Sequence, residues 1–158
     1  MFRELTRKNK QIPNEKCIEI LKNETRGVLS VNGENGYPYG MPMNHYYFEG
    51  NNKLYFHCGK TGHRIDCLKE NNKASFCVYT KGYQENNDWA FNVESVIVFG
   101  EIKIIENRET IKNIVTKLSY KFTGDEEYIN NEIKNYLNET ILLELTPLHL
   151  CGKVVKEA

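Results

Sequence analysis

The sequence predicts an α+β protein built around an antiparallel barrel. Three observations carry that expectation. About five or six short apolar or alternating segments are separated by turn signals, as in an antiparallel all-β layer. Helical periodicity is confined to separate segments and does not alternate with every strand. Proline and glycine fall inside some strand-like runs, where they mark edges and bulges rather than central ladder positions.

The elements follow in order. Ile12-Pro13-Asn14 opens a short helix, with Pro near its first turn. Cys17, Ile18 and Leu21 then share one face. Arg26 to Val31 reads as a buried strand, and Asn35-Gly36 is a tight-hairpin signal. Tyr37 to Phe48 reads as one longer strand, at an edge or bulged because Pro38 and Pro42 cannot donate to a ladder. Glu49 to Asn52 is a turn, and Leu54 to Cys58 is a third strand that runs into the loop Gly59-Lys60-Thr61-Gly62. His63 to Glu70 is a short helix with Ile65 and Leu68 inward, and Ala74 to Tyr79 is a fourth strand. Lys81 to Val93 reads as a polar loop carrying the only tryptophan, Trp89. Ser95 to Ile105 is a fifth strand, with Gly100 as a bulge or bend. Ile111, Ile114, Val115, Leu118 and Phe122 recur at helical spacing, so 108–122 is an amphipathic helix. Asp125 to Leu137 is a second helix whose acidic start suits its dipole. Ile141 to Leu145 is a core strand, and His149 to Val155 is expected as an additional edge strand.

Composition narrows the function. The 158 residues suit one domain, 1–158. Lys and Arg number 21 against 21 Asp and Glu, so there is none of the basic excess of a general nucleic-acid binder. No apolar run approaches the roughly 20 residues of a membrane helix. Met1 to Gln11 carries no hydrophobic signal core, so a cytoplasmic location is expected. Five scattered cysteines read as free thiols rather than a disulfide framework. No Ser-His-Asp order, paired-carboxylate motif or phosphate-binding P-loop stands out, so nothing supports a hydrolase.

The segment Leu54 to Leu68 holds the strongest chemistry. A strand ends in polar residues, a glycine loop follows, and a helix begins with His63-Arg64. Backbone N–H groups and the dipole at a helix N-terminus favour an anion. Thr61 adds a hydroxyl, and Lys60, His63 and Arg64 add positive charge, with the Arg fork suited to phosphate. The plainer alternative is a solvated loop with scattered charges. A rival arrangement, His57, Cys58, His63 and Cys67 around a zinc ion, is disfavoured. His57 and Cys58 are neighbours on a strand and point to opposite faces. No metal site is therefore expected, and Cys67 should pack as a small apolar residue. In the second strand, Gly40 and Pro42 leave backbone groups open to a flat heteroaromatic ring, with Asn44 able to donate or accept. The alternative there is an irregular barrel strand with methionines in the core. Trp89, Tyr83 and Phe91 either wall a pocket or plug the barrel end.

Together these segments resemble the pyridoxamine phosphate oxidase-like FMN-binding split-barrel superfamily, and within it the 5-nitroimidazole-resistance (Nim) type. The residues that carry the likeness are Arg26-Gly27-Val28-Leu29, Gly36 to Asn44, Tyr55 to Arg64, Ser95 to Gly100 and Cys151-Gly152-Lys153. The resemblance implies a six-stranded split barrel that forms a homodimer with FMN at the subunit interface. It implies that His57, Cys58, Lys60, Thr61, Gly62, His63 and Arg64 belong to the phosphate- and ribityl-binding turn. Met41, Pro42, Met43 and Asn44 match the strand along the isoalloxazine ring, and Glu94 and Ser95 the point where the partner subunit reaches the flavin. The activity implied is an FMN-dependent oxidoreductase that reduces a small electrophilic or nitroaromatic acceptor. The alternatives are a flavin-storing protein without turnover, or the same barrel holding haem or a deazaflavin. The tail Lys153-Val154-Val155-Lys156 lacks the Arg and Trp of the vitamin-B6 oxidases, so that particular activity is not expected.

Overall fold

Asn35-Gly36 turns the chain as its residue types demand. Both adopt positive φ, 57° and 79°, and Tyr37 N–H closes the turn on the Glu34 carbonyl at 3.2 Å. The computed structural model describes residues 1–157. Its elements are α1 (Asn14–Asn23), β1 (Arg26–Asn32), β2 (Pro38–Asn44), β3 (Tyr46–Phe48), β4 (Lys53–Gly59), α2 (His63–Glu70) and β5 (Lys73–Tyr79). There follow β6 (Tyr83–Gln84), β7 (Phe91–Ile105), α3 (Arg108–Ser119), α4 (Glu126–Tyr136) and β8 (Thr140–Glu157). Among the described residues no helix is long and apolar enough to cross a membrane.

All strand pairs are antiparallel, in the order β2-β1-β5-β7-β8-β4-β3, with β6 added to β7. The two ends of that path, β2 and β3, are consecutive in the chain and separated only by His45. The sheet therefore curls into a split barrel, of eight strands rather than six.

The extra strands have identifiable causes. The segment expected as one strand from Tyr37 to Phe48 is broken at His45. That ring is fully buried, and its Nε2–H donates to the Leu21 carbonyl at 2.8 Å, pulling the chain off β2 before β3 resumes. The expected polar loop Lys81–Val93 contributes β6 and the first turns of the β7 ladder, which starts at Phe91. The separate core strand and edge tail expected at the C-terminus are one continuous strand, β8. It pairs with β7 from Leu142 to Glu157 and with β4 only from Thr140 to Leu145. The tail is therefore an edge, as expected, but continuous with the core strand and touched on its open side by one bridge from Gln11 to Lys153. Gly100 marks a register shift in this ladder, and a Cβ there would collide with the Thr146 carbonyl oxygen. β2 does lie at the end of the path, where Pro38 and Pro42 leave no central ladder short of a donor.

The barrel interior is filled by alternate residues of every strand except β6, with α1 and α2 contributing Cys17, Leu21, Ile65 and Leu68. Phe56 and Phe76 meet there edge to face at 4.9 Å. Cys67 is 5 % exposed and belongs to this core, as expected of a small apolar side chain. A second core lies outside the sheet, where Ile111 and Ile114 of α3 cover Tyr55 and Leu142. Asn107 caps α3 through the Thr110 N–H at 2.9 Å, and Asp125 caps α4 through the Tyr128 N–H at 2.9 Å. The last turn expected of the first of these helices, up to Phe122, folds instead into tighter turns after Ser119. They place Lys121 Nζ on the carbonyls of Glu24, at 2.6 Å, and His45, at 3.2 Å. Burial brings the Lys121 ammonium down to about 8, and burial followed by the Lys121 charge brings His45 down to about 3.

Candidate functional site

At the C-terminal end of β4 the chain leaves the sheet through Gly59 and enters α2 through Gly62. Gly62 sits at φ 120°, a conformation open to glycine, and nothing lies within 4 Å of the position a Cβ would take. It provides the N-cap backbone of α2 but no capping side chain, and the first N–H groups bonded to its carbonyl are those of Ile65 and Asp66. The N–H groups of His63 and Arg64 therefore face outward with the positive end of the helix dipole. A cavity of about 140 Å³ lies against them, lined by Tyr39, Cys58, Gly59, Thr61, Gly62, His63, Arg64 and Ile65. The His63 imidazole stacks on Tyr39 with ring centroids 4.4 Å apart, which holds one wall of this cavity.

Arg64 is half-buried, and its Nε–H donates to the Met41 thioether at 3.0 Å. Sulfur is a weak acceptor. None of the ion pairs among the described residues involves Arg64. A half-buried guanidinium without a carboxylate is a cation waiting for an anion. Its charge also acts on its neighbours. Burial, then Arg64, holds the His57 imidazole below its ordinary range, so the ring is neutral at neutral pH. Burial pushes the Cys58 thiol up although Arg64 opposes the shift, so Cys58 is a thiol and not a thiolate.

A larger cavity of about 630 Å³ adjoins the first and shares Cys58, Gly59 and Arg64 with it. Its barrel wall adds Asn44 and His57. Its other wall is helical, with Val115, Leu118, Phe122, Tyr128, Ile133 and Tyr136 among its residues. These helical residues were not among those expected at a site. Their signal was present: Tyr128, Glu132 and Tyr136 repeat at i, i+4 and i+8 along α4, beside the buried Ile129 and Ile133.

The other expected residues are distributed as follows. Met41 and Met43 are buried and point into the barrel, so only their backbone can face a ligand, whereas Pro42 is exposed. Asn44 accepts from Arg26 Nε at 3.1 Å at the rim of the larger cavity. His57 and Cys58 occupy opposite faces of β4. Lys60 points away from the glycine turn, toward a different small cavity shared with Glu106 and Arg108. Among the described residues no three His, Cys, Asp or Glu groups converge as a metal site would require. Glu94 and Ser95 line neither cavity: Glu94 N–H donates to Thr80 at 3.2 Å, and Ser95 pairs with Tyr79 and Lys153. Ser95 is two residues along β7 from Ile97, which lies three strand steps, about 14 Å, from Pro42 across β1 and β5, so within one chain neither Glu94 nor Ser95 reaches the cavities. Trp89, 74 % exposed, does not wall either cavity.

A protein-family model described as pyridoxamine 5′-phosphate oxidase matches residues 13–154. No curated protein matches the sequence. Among solved structures, a candidate 5-nitroimidazole antibiotic resistance protein from Bacteroides thetaiotaomicron is similar, with TM-score 0.74, 19 % identity, and coverage of 92 % of this chain and 86 % of that one. A conserved hypothetical protein from Mycobacterium tuberculosis has TM-score 0.80 and 12 % identity over 95 % of this chain and 89 % of that one. An FAD- and haem-binding protein from Mycobacterium smegmatis has TM-score 0.71 and 17 % identity over 92 % of this chain and 73 % of that one. At these identities the likeness concerns the fold.

Proposed function

We propose, from the premise that the chain belongs to the pyridoxamine 5′-phosphate oxidase family, that it is an FMN-binding oxidoreductase that works as a homodimer on small electrophilic or nitroaromatic acceptors. The observation that carries this reading is Arg64, a half-buried cation without a carboxylate at the open N-terminus of α2. Two free backbone N–H groups, the Thr61 hydroxyl and a guanidinium around one small cavity form a donor set suited to a terminal phosphate. The group fits the residues present. Bound FMN supplies the hydride and electron chemistry, which explains why no acid–base or nucleophile constellation is needed. The chain's own residues anchor and orient. His63 and Tyr39 brace the turn, the neutral His57 can donate a hydrogen bond without adding charge, and the thiol of Cys58 stays protonated.

The dimer is supported by a bare apolar row. Across the outer face of five strands, Pro42, Val28, Cys77, Ile97 and Cys151 are successive cross-strand neighbours. At about 4.8 Å per strand this row is roughly 19 Å wide. A two-fold pairing of such faces is self-complementary, and Glu94 and Ser95, near one end of the row, would then lie at the interface.

The test is a visible absorption spectrum after loading with FMN and desalting, with the acid-released cofactor identified by mass. Retained flavin is the expected result. Arg64→Ala should weaken FMN binding by about 10- to 100-fold, the worth of one charge-assisted contact. Retained haem or deazaflavin, or no retained cofactor, would overturn the FMN assignment.

A further inference from the structure

The helical cover α3–α4 has no part in holding a phosphate, yet it closes the larger cavity, whose volume of about 630 Å³ suits a small organic ligand. Its wall combines the buried Leu118 and Ile133 with three open aromatic side chains, Phe122, Tyr128 and Tyr136, exposed by 44 %, 57 % and 58 %. Two carboxylates stand among them. Glu132 lies one helical turn from both tyrosines on the same stripe of α4, and Glu139 follows in the turn before β8. Among the described residues neither forms an ion pair. The only permanent cation on the lining is Arg64, since His57 is held neutral.

We propose that this chamber seats the electron acceptor, and that it selects a flat aromatic molecule carrying a positive charge. The inference rests on the flavin reading in one respect: a phosphate on Arg64 removes the lining's only positive charge and leaves two carboxylates uncompensated. Carboxylates beside aromatic faces attract organic cations, by Coulomb attraction and by the ring quadrupole. The same pair repels an anion of equal size.

The experiment is calorimetric titration of the FMN-loaded protein with three near-isosteric probes: 4-nitrobenzylamine as the cation, 4-nitrobenzyl alcohol as the neutral form and 4-nitrobenzoate as the anion. The amine should bind about tenfold or more tightly than the benzoate, with the alcohol between them. The double variant Glu132→Gln, Glu139→Gln should bring that ratio below about threefold while the alcohol's affinity holds. Both residues are exposed, so folding is not at stake, and Tyr136→Ala, also exposed, should weaken all three probes. Equal binding, preference for the benzoate, no binding, or a ratio that survives the double variant would each overturn the proposal. So would displacement of FMN by the probes, which would make the chamber the flavin's own seat. FMN retention, read from the spectrum of the same sample, reports on the flavin reading separately. Retained FMN without charge preference removes the chamber proposal alone, and lost FMN removes the flavin reading whatever the probes do.

Discussion

The outer surface of the single sheet is treated in two opposite ways. Over β4 and the first half of β8, Tyr55 and Leu142 are covered by Ile111 and Ile114 of the same chain. The neighbouring polar positions are equally well served: the Tyr55 hydroxyl donates to Glu144 at 2.7 Å, and Lys53 pairs with Glu144 at 2.6 Å. Over β1, β5 and β7 the described residues provide no helix on this surface, only Phe2 against Phe99 and His149 at one end. Val28 is 37 % exposed, and Cys77, Ile97 and Cys151 are half-buried only by their neighbours in the sheet. Both faces carry outward apolar residues, so alternation alone does not distinguish them. Helical segments after β7 supply a cover for one face; on the other, among the described residues, Phe2 packs on Phe99 and His149 and leaves the row through Val28, Cys77 and Ile97 without a helix over it. The bare face is therefore the one on which the proposed dimer would form.

The largest effect expected from this contrast is at Ile97. Ile97→Asp places a carboxylate in the middle of the bare row, twice over in a two-fold interface. It should raise the dimer dissociation constant on the order of 1,000-fold, because two unpaired charges would be desolvated together. Sedimentation should show a monomer with an unchanged circular dichroism spectrum and poor FMN retention. A variant that stays dimeric would move the interface elsewhere. The matching change on the covered face should do the reverse. Ile114→Ala, at a position 3 % exposed, should cost about 3 kcal/mol of stability through a cavity in the second core while the dimer survives. A denaturant midpoint and a sedimentation run on the same sample separate the two outcomes.

A third effect belongs to the joint between the two halves, where His45 ends β2 and Lys121 ties the turn after α3 to it. His45 donates from Nε2, and its Nδ1 is buried without a partner, so the neutral ring is the form the fold accepts. Its folded value of about 3 lies below the ordinary 6.5. The unfolded chain therefore takes up a proton that the native state refuses. Stability from this group is complete above the ordinary value and is lost as the pH falls toward the folded one. From about pH 6.5 to about pH 5 the loss should be about 2 kcal/mol. Urea midpoints across that range should fall more steeply for the native protein than for His45→Gln. Parallel slopes would show that the ring is protonated in place.

What the sequence made legible follows the same division. Periodicity located the helices and most strands, because Ile111, Ile114 and Leu118, or Leu29 and Val31, repeat at spacings that only one element satisfies. The glycine turn into His63-Arg64 was legible because its residue types are tied to a backbone task. The break at His45 was not, since it depends on a carbonyl of α1, contributed from elsewhere in the chain. The continuity of β8 was hidden by Thr146-Pro147, which reads as a break between a core strand and an edge strand but sits at the β7–β8 register shift instead. Lys60 shows the limit of reading by proximity. It is adjacent to Thr61 in sequence, yet in the turn after β4 the two residues line different cavities. The role of α4 was obscured because Tyr128, Glu132 and Tyr136 read as a solvated face until the barrel beneath them is seen.

The smallest effect tests whether the covering helices act as one unit with the chamber they close. Asn107 accepts from both the N–H and the hydroxyl of Thr110, at 2.9 Å each, and this satisfies an otherwise unpaired donor at the start of α3. Asn107→Ala should cost about 1 kcal/mol. Asn107 is exposed and lines neither cavity, so FMN retention and dimer mass should not change. Amide exchange should quicken in the first turn of α3. If α3 and α4 open together, exchange should also quicken in α4, which meets α3 around the chamber. If exchange stays slow in α4, the two helices are held separately, and the chamber is closed by each helix's own contacts with the barrel rather than by a hinged cover.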